Sequence, residues 1–179
     1  MAKLSPDFVL LGLLECQSCH GYQLLEHFRD PARLGNVWNL STSQLYNILK
    51  RLENKELVDG REEDSVDAPM RTVYWLTDTG RQALHAWLDE SNPSASTRHI
   101  RTEFLSRLYI ARRLNYPTTH IVTAQREAVT TYRDQLIQER DGLANSAGYL
   151  ALDLRVGEMD LIMDWLTRCE KTFTSEPTS

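Results

Sequence analysis

The sequence predicts a mainly α-helical protein, with an N-terminal winged helix-turn-helix domain and an all-helical C-terminal dimerisation domain. Three observations carry that prediction. Residues 41–55, STSQLYNILKRLENK, place Leu45, Ile48, Leu49 and Leu52 on one helical stripe and Ser43, Gln44, Asn47, Lys50, Arg51 and Asn54 on other faces. Directly after them, two stretches rich in β-branched and aromatic residues flank a polar run, which is the pattern of a hairpin. Beyond residues 91–97, SNPSAST, small and polar with one Pro, the chain turns to long amphipathic stretches. The boundaries follow as a winged domain over 1–90, a linker over 91–97 and a helical domain over 98–179.

In chain order, Ser5 caps the first helix and Pro6 stands in its first turn, and Phe8, Val9, Leu11, Leu13 and Leu14 make it apolar nearly all round, hence buried. Residues 17–20 read as a turn. The second helix covers 21–29, with Tyr22, Leu24, Leu25 and Phe28 available for packing, and a loop over 30–40 holds Pro31, Gly35 and Trp38. Ser41 or Thr42 caps the third helix by accepting from a free N–H of its first turn. Two short strands follow, Leu57-Val58-Asp59-Gly60-Arg61-Glu62 and Arg71-Thr72-Val73-Tyr74-Trp75-Leu76, with residues 63–70 as the loop of a wing. Thr77-Asp78 caps a helix over 79–90 with Ala83, Leu84, Trp87 and Leu88 inward.

In the second half, residues 98–114 form a helix with Phe104, Leu105, Leu108, Tyr109 and Ala111 apolar, ended by Tyr116-Pro117. Thr118-Thr119 caps a long helix to about residue 143, with Ile121, Ala124, Ala128, Tyr132 and Leu136 at coiled-coil-like spacing. After a break over 142–148, a final helix over 149–173 carries Leu152, Val156, Met159, Ile162, Met163, Leu166 and Cys169. So few elements cannot bury their apolar faces alone, so the expected partner is a second copy of the chain in a homodimer.

Composition narrows the classes. The chain has 179 residues, 41% hydrophobic and 25% charged, ordinary for a globular protein. Its longest N-terminal apolar run, residues 9–14, is too short for a membrane span or a signal peptide, so a cytoplasmic protein without a membrane partner is expected. Cys16, Cys19 and His20 spell CxxCH, a pattern of haem attachment and, as CxxC, of zinc or redox chemistry. With three cysteines, no second thiol pair and no export route, a coincidence at a helix turn accounts for it better, and no metal or cofactor is expected. The five histidines are scattered and no phosphate loop or nucleophile motif occurs, which argues against an enzyme. The net charge of −5 is concentrated: residues 1–90 hold 9 Lys and Arg against 14 Asp and Glu, whereas 91–179 hold 11 of each. The acids gather at Glu62, Glu63, Asp64, Asp67 and Asp89-Glu90 while Lys50, Arg51 and Lys55 gather on the third helix, and affinity follows such local surfaces.

The third helix leads with short polar side chains, as a helix that enters a major groove does. Thr42, Ser43, Gln44 and Asn47 are therefore the candidates for base edges, and Tyr22, Tyr46, Lys50, Arg51 and Arg71 those for phosphates of double-stranded DNA. Tyr22 has a second reading as a core aromatic with a wet tip, and Trp38 could plug the core or wall a pocket. The competing function is a winged-helix protein–protein module, which the acidic wing would suit.

His20-Gly21-Tyr22, Trp38, Gln44-Leu45-Tyr46, Leu49, Leu52-Glu53, Leu57-Val58, Arg71, Val73-Tyr74, Leu76-Thr77 and Gly80 together resemble the PadR family of transcriptional regulators over residues 5–90. The rest, through Arg101-Thr102-Glu103-Phe104 and its length, is similar to the long helical domain of the larger PadR subfamily. The chain departs from the family pattern at Glu56, where Gly is usual, at Asn47, where Pro is usual, and at Asp67-Ala68-Pro69, where the wing usually reads Gly-Arg-Pro. The resemblance implies a repressor on an inverted-repeat operator and an aromatic, often phenolic, effector. His20, Trp38, Arg107 and Tyr109 could supply the apolar slot and the cation or donor such a ligand needs. A ligand between the first helix and the 98–114 helix would then alter the spacing of the DNA-reading heads.

Overall fold

The computed structural model describes residues 4–65, 68–143 and 146–174. Its elements run α1 (Asp7–Cys16), β1 (Cys19–His20), α2 (Gly21–Arg29), α3 (Thr42–Asn54), β2 (Val58–Ser65), β3 (Ala68–Leu76), α4 (Asp78–Leu88), α5 (Thr97–His99), a π-helical stretch (Ile100–Phe104), α6 (Leu105–Arg113), α7 (Thr119–Asp141) and α8 (Ala147–Thr174). They form two compact units, one of residues 1–89 with 101–116, the other of 90–100 with 117–179. Residues 101–116, expected in the C-terminal domain, thus cluster with the winged unit. Gly12 of α1 explains why: a Cβ there would lie 2.3 Å from the Ile110 side chain, so α6 seats against bare backbone. At this point the two helices are in direct contact, with no space between them for a ligand.

In the first unit, Val9, Leu10, Leu11, Leu13 and Leu14 are buried as their density predicts, and Phe8 stacks on Trp87 of α4 at 5.4 Å. Helix α1 begins one step later than expected, with Pro6 at its N-cap and no side-chain cap. α3 buries Leu45, Ile48, Leu49 and Leu52, the predicted stripe, and Ser41 caps it by accepting from Gln44 N–H at 3.2 Å. Leu34 is 1% exposed in the loop after α2, a core residue without periodic signal. The three-stranded antiparallel sheet has the order β1-β3-β2. Two parts of it differ from expectation. Cys19 and His20, read as a turn, pair with Tyr74 and Val73, a strand too short to show a period. Residues 63–65 and 68–70, read as loop, continue the ladder to Ser65↔Ala68, because backbone bonds alone can extend a hairpin whose side chains lack alternation. Asp67, which bore on the wing's phosphate contacts, lies outside the described residues.

The turn from α3 into the wing is a Schellman motif. Leu57 N–H bonds Leu52 C=O at 3.0 Å, Glu56 N–H bonds Glu53 C=O at 2.8 Å, and Glu56 sits at φ 57°. The left-handed backbone is the reason glycine is favoured there, and this chain carries Glu. The Thr77 hydroxyl then donates to Glu56 C=O at 2.7 Å, and Gly80 lets α4 approach so closely that a Cβ would meet Leu57 O at 2.0 Å.

The second unit is built on the pair α7 and α8. Arg126–Glu170, Arg133–Asp160 and Arg140–Asp153 descend one helix as they climb the other, which defines an antiparallel pair. Its interior holds Ile121, Val122, Val129 and Leu136 with Val156, Met159, Leu166 and Cys169. The α7 stripe is therefore turned from the expected one: Ala124, Ala128 and Tyr132 are half-buried. Residues 91–97 are not a free linker. Buried Gln125 donates to Ser94 C=O at 3.1 Å, and Ser96 caps α5 through His99 N–H.

Candidate nucleic-acid interface

Four-residue and three-residue steps along α3 put Ser43, Asn47 and Lys50 on one exposed line opposite the buried stripe. Gln44 and Arg51 flank that line on one side and Tyr46 on the other. Gln44 is partly committed to the fold: its Oε1 accepts from Ser41 N–H at 2.8 Å, so its outward chemistry is that of the NH₂ donor. Thr42, at the helix start, accepts weakly from Arg29 at 3.4 Å.

On the Tyr46 side, the start of α2, α3 and β3 enclose a cleft of about 330 Å³ lined by His20, Gly21, Tyr22, Tyr46, Arg71 and Thr72. The Arg71 guanidinium lies 5.4 Å from the Tyr22 ring centre, and the His20 ring stacks on the same phenol at 5.7 Å. His20 Nδ1 donates to Thr72 C=O at 3.2 Å, which fixes the ring to β3. Tyr22 and Tyr46 are 45% and 44% exposed, so both phenols are surface groups and Tyr22 is no core aromatic. At Gly21 a Cβ would stand 2.8 Å from the Tyr46 ring, so a side chain there would push that phenol aside. One guanidinium and two phenolic hydroxyls around a cleft of this size suit a phosphate, and the order His20-Gly21-Tyr22 is what assembles them.

On the Gln44 side lies a second cleft, of about 500 Å³, between residues 4–7, Trp38, Asn39, Leu40 and the Gln44, Asn47, Ile48 and Arg51 side of α3. Arg51 spans it, ion-paired to Asp7 and donating to Ser5 Oγ at 2.8 Å. The sequence singled out Arg51 for phosphate and assigned Asp7 no role. Nothing in the local pattern marks a pair separated by 44 positions.

The four effector candidates are not gathered at one place. His20 belongs to the phosphate-sized cleft. Trp38 Nε1 donates to Ser106 Oγ at 2.7 Å, and Ser106 donates in turn to Thr102 C=O. Arg107 is 1% exposed, 3.7 Å from Glu103 and 5.5 Å from the Trp87 ring centre. Tyr109 meets His27 Nδ1 at 2.8 Å under the Arg113 guanidinium. Burial, with the Arg113 and Arg33 charges, lowers the His27 pKa to about 4, so this imidazole is neutral near pH 7. Cys16 ends α1 and Cys19 lies in β1, where burial pushes the thiol up to about 11, the reverse of a reactive or ligating thiolate. Among the described residues no group of three His, Cys, Asp or Glu could hold a metal ion, and no helix is long and apolar enough to cross a membrane.

A capped polar helix, a three-stranded wing and a cleft of donors beside them define a winged helix-turn-helix protein. Residues 10–86 match the transcriptional regulator PadR-like family. The chain is 28% identical over 141 residues to the negative transcriptional regulator PadR of Bacillus subtilis, covering 79% of this chain and 70% of that one. A crystal structure of Bacillus subtilis PadR with operator DNA is 24% identical, covers 93% of this chain and 96% of its own, and gives a TM-score of 0.46. One of the same regulator with p-coumaric acid is 23% identical, covers 98% and 100%, and gives 0.44.

Proposed function

We propose that this transcriptional regulator is a cytoplasmic, homodimeric DNA-binding repressor that reads an inverted repeat through α3 and is released by a small aromatic effector. The observation that carries the DNA reading is the cleft of Tyr22, Tyr46 and Arg71 beside the exposed line Ser43, Asn47 and Lys50. A phosphate seated there would hold α3 in a major groove while its polar line faces base edges. Lys50 adds a second phosphate contact. The negative regulator from Bacillus subtilis supports the repressor sense of the activity.

Leu150, Leu154 and Leu161 on α8 are 68%, 67% and 70% exposed, and Gly157 on the same line would give a Cβ no neighbour within 4 Å. Their 4-3-4 spacing is that of a coiled-coil seam, and a second copy of the chain covers it. A two-fold dimer presents two α3 helices to half-sites roughly 34 Å apart, one turn of DNA. The effector reading rests on the family and on a class of ligand, small aromatic acids, to which p-coumaric acid belongs. Exposed Glu62 and Glu63 on the wing favour a second reading, a docking face for a basic protein.

Fluorescence anisotropy decides between them. Duplex from the gene's own upstream region and a scrambled duplex are titrated over a salt series. Preference for the upstream duplex, with log affinity falling by about 0.9 per phosphate contact against log salt, supports the repressor. Equal, negligible binding to both removes it.

A further inference from the structure

We propose that Asp7 is an internal substitute for a DNA phosphate: it occupies the Arg51 guanidinium and so withholds one cation of α3 from DNA. The inference rests on the DNA-binding reading above and concerns which of its cations are available.

Asp7 meets Arg51 with both carboxylate oxygens. Oδ1 pairs with Nη2, and Oδ2 accepts from Nε at 3.3 Å. This is the two-pronged geometry in which a guanidinium also takes a phosphate, so carboxylate and phosphate compete for one set of donors. Ser5 adds a third contact, accepting from Nη2 at 2.8 Å, and itself bonds Asp7. The two charges come from segments 44 positions apart, so the pair closes residues 4–7 over the flank of α3.

Exposure shows that the exchange is feasible. The Arg51 side chain is 43% exposed and that of Asp7 19%, so the guanidinium faces water while the carboxylate sits behind it. Such a solvent-facing pair is weak enough to yield to a nearby phosphate. Yielding, however, leaves the Asp7 carboxylate beside α3 and facing the DNA, a repulsion that Lys50, on the central line of the helix, does not meet. The winged half already carries more acids than bases, and the pair removes one of its few cations from the count of those that release counterions.

The test uses the full chain and a labelled duplex of scrambled sequence, with the upstream duplex in parallel. Asp7→Asn frees Arg51, and between about 50 and 200 mM salt it should lose about threefold more affinity than the wild type, the increment of one extra phosphate contact. The double variant Asp7→Asn with Arg51→Gln should return to the wild-type slope. Ser5→Ala, which loosens the network without changing charge, should shift the slope in the same direction by less, and it serves if Asp7→Asn weakens α1. An unchanged slope in both single variants overturns the proposal. A steeper slope that persists in the double variant also overturns it, because the effect is then the lost Asp7 charge and not the released arginine. Wild-type protein that binds no duplex sinks the DNA reading, and this proposal with it, and is distinguished by the wild-type titration alone.

Discussion

Glu56→Gly should stabilise the protein, although it removes a side chain from a surface turn. Glu56 stands at φ 57° after α3, and the bonds of that turn, Leu57 N–H to Leu52 and Glu56 N–H to Glu53, are made by backbone and survive the change. So does the bond that the Glu56 carbonyl accepts from Thr77. A left-handed backbone costs a residue with a Cβ roughly 1–2 kcal/mol. Glycine gives back about 0.4–1 kcal/mol through the greater freedom of its unfolded chain. The difference is a net stabilisation of about 0.5–1 kcal/mol. For a chain of this length each kcal/mol moves Tm by roughly 2–4 °C, so Tm should rise by about 1–4 °C. The end of α6 provides an internal control: Asn115 has φ 52° with the same bond pattern, Tyr116 N–H to Ala111 and Asn115 N–H to Arg112. Asn tolerates this region, so Asn115→Gly should gain less than Glu56→Gly. Thermal and urea melts at one protein concentration measure both, the concentration being fixed because a dimer's stability depends on it. A lower Tm for Glu56→Gly at an unchanged urea m-value would refute the assignment of strain to this turn.

Gln44→Ala should cost about 1–3 kcal/mol on the upstream duplex and little on scrambled DNA, whereas Lys50→Ala should weaken both and flatten the salt slope by about one ion, both read by anisotropy. Leu154→Lys and Leu161→Lys should each raise the dimer dissociation constant at least tenfold in sedimentation equilibrium, since burying one leucine contributes about 1.5–3 kcal/mol. His27 has a folded pKa lowered from 6.5 to about 4, so on acidification the unfolded chain takes up the proton first. Its contribution is complete above pH 6.5 and is lost as the pH falls toward 4, and urea midpoints of His27→Gln should vary less across that window than those of the wild type.

The helices were legible in the sequence where one face was apolar and the start carried a cap: the α3 stripe, the Ser41 and Thr77 caps and the burial of α1 follow from spacing and hydrogen-bonding chemistry alone. Strand ends were not, because β1 pairs over two residues and the outer part of the hairpin shows no alternation of apolar and polar residues in the sequence. The division of the chain was hidden for another reason. Residues 91–97 have a linker's composition, yet Gln125 and Ser96 anchor them, and α6 joins the winged unit through the bare backbone of Gly12 and through the long-range Trp38–Ser106 and His27–Tyr109 bonds. In the candidate site, residue types pointed to Tyr22, Tyr46 and Arg71, whereas the capture of Arg51 by Asp7 is a product of folding that no local pattern encodes.

The central claim is that two copies of α3 read one operator, each anchored by a phosphate beside Tyr22, Tyr46 and Arg71. Hydroxyl-radical footprinting on the gene's upstream region tests it most directly, with the wild type and Arg71→Ala compared at equal concentration. The account predicts two protected half-sites in inverted orientation, centred roughly one helical turn of about 10 base pairs apart, and loss of protection on both in the variant. A single unrepeated protected segment, or a pattern that Arg71→Ala leaves intact, would contradict it.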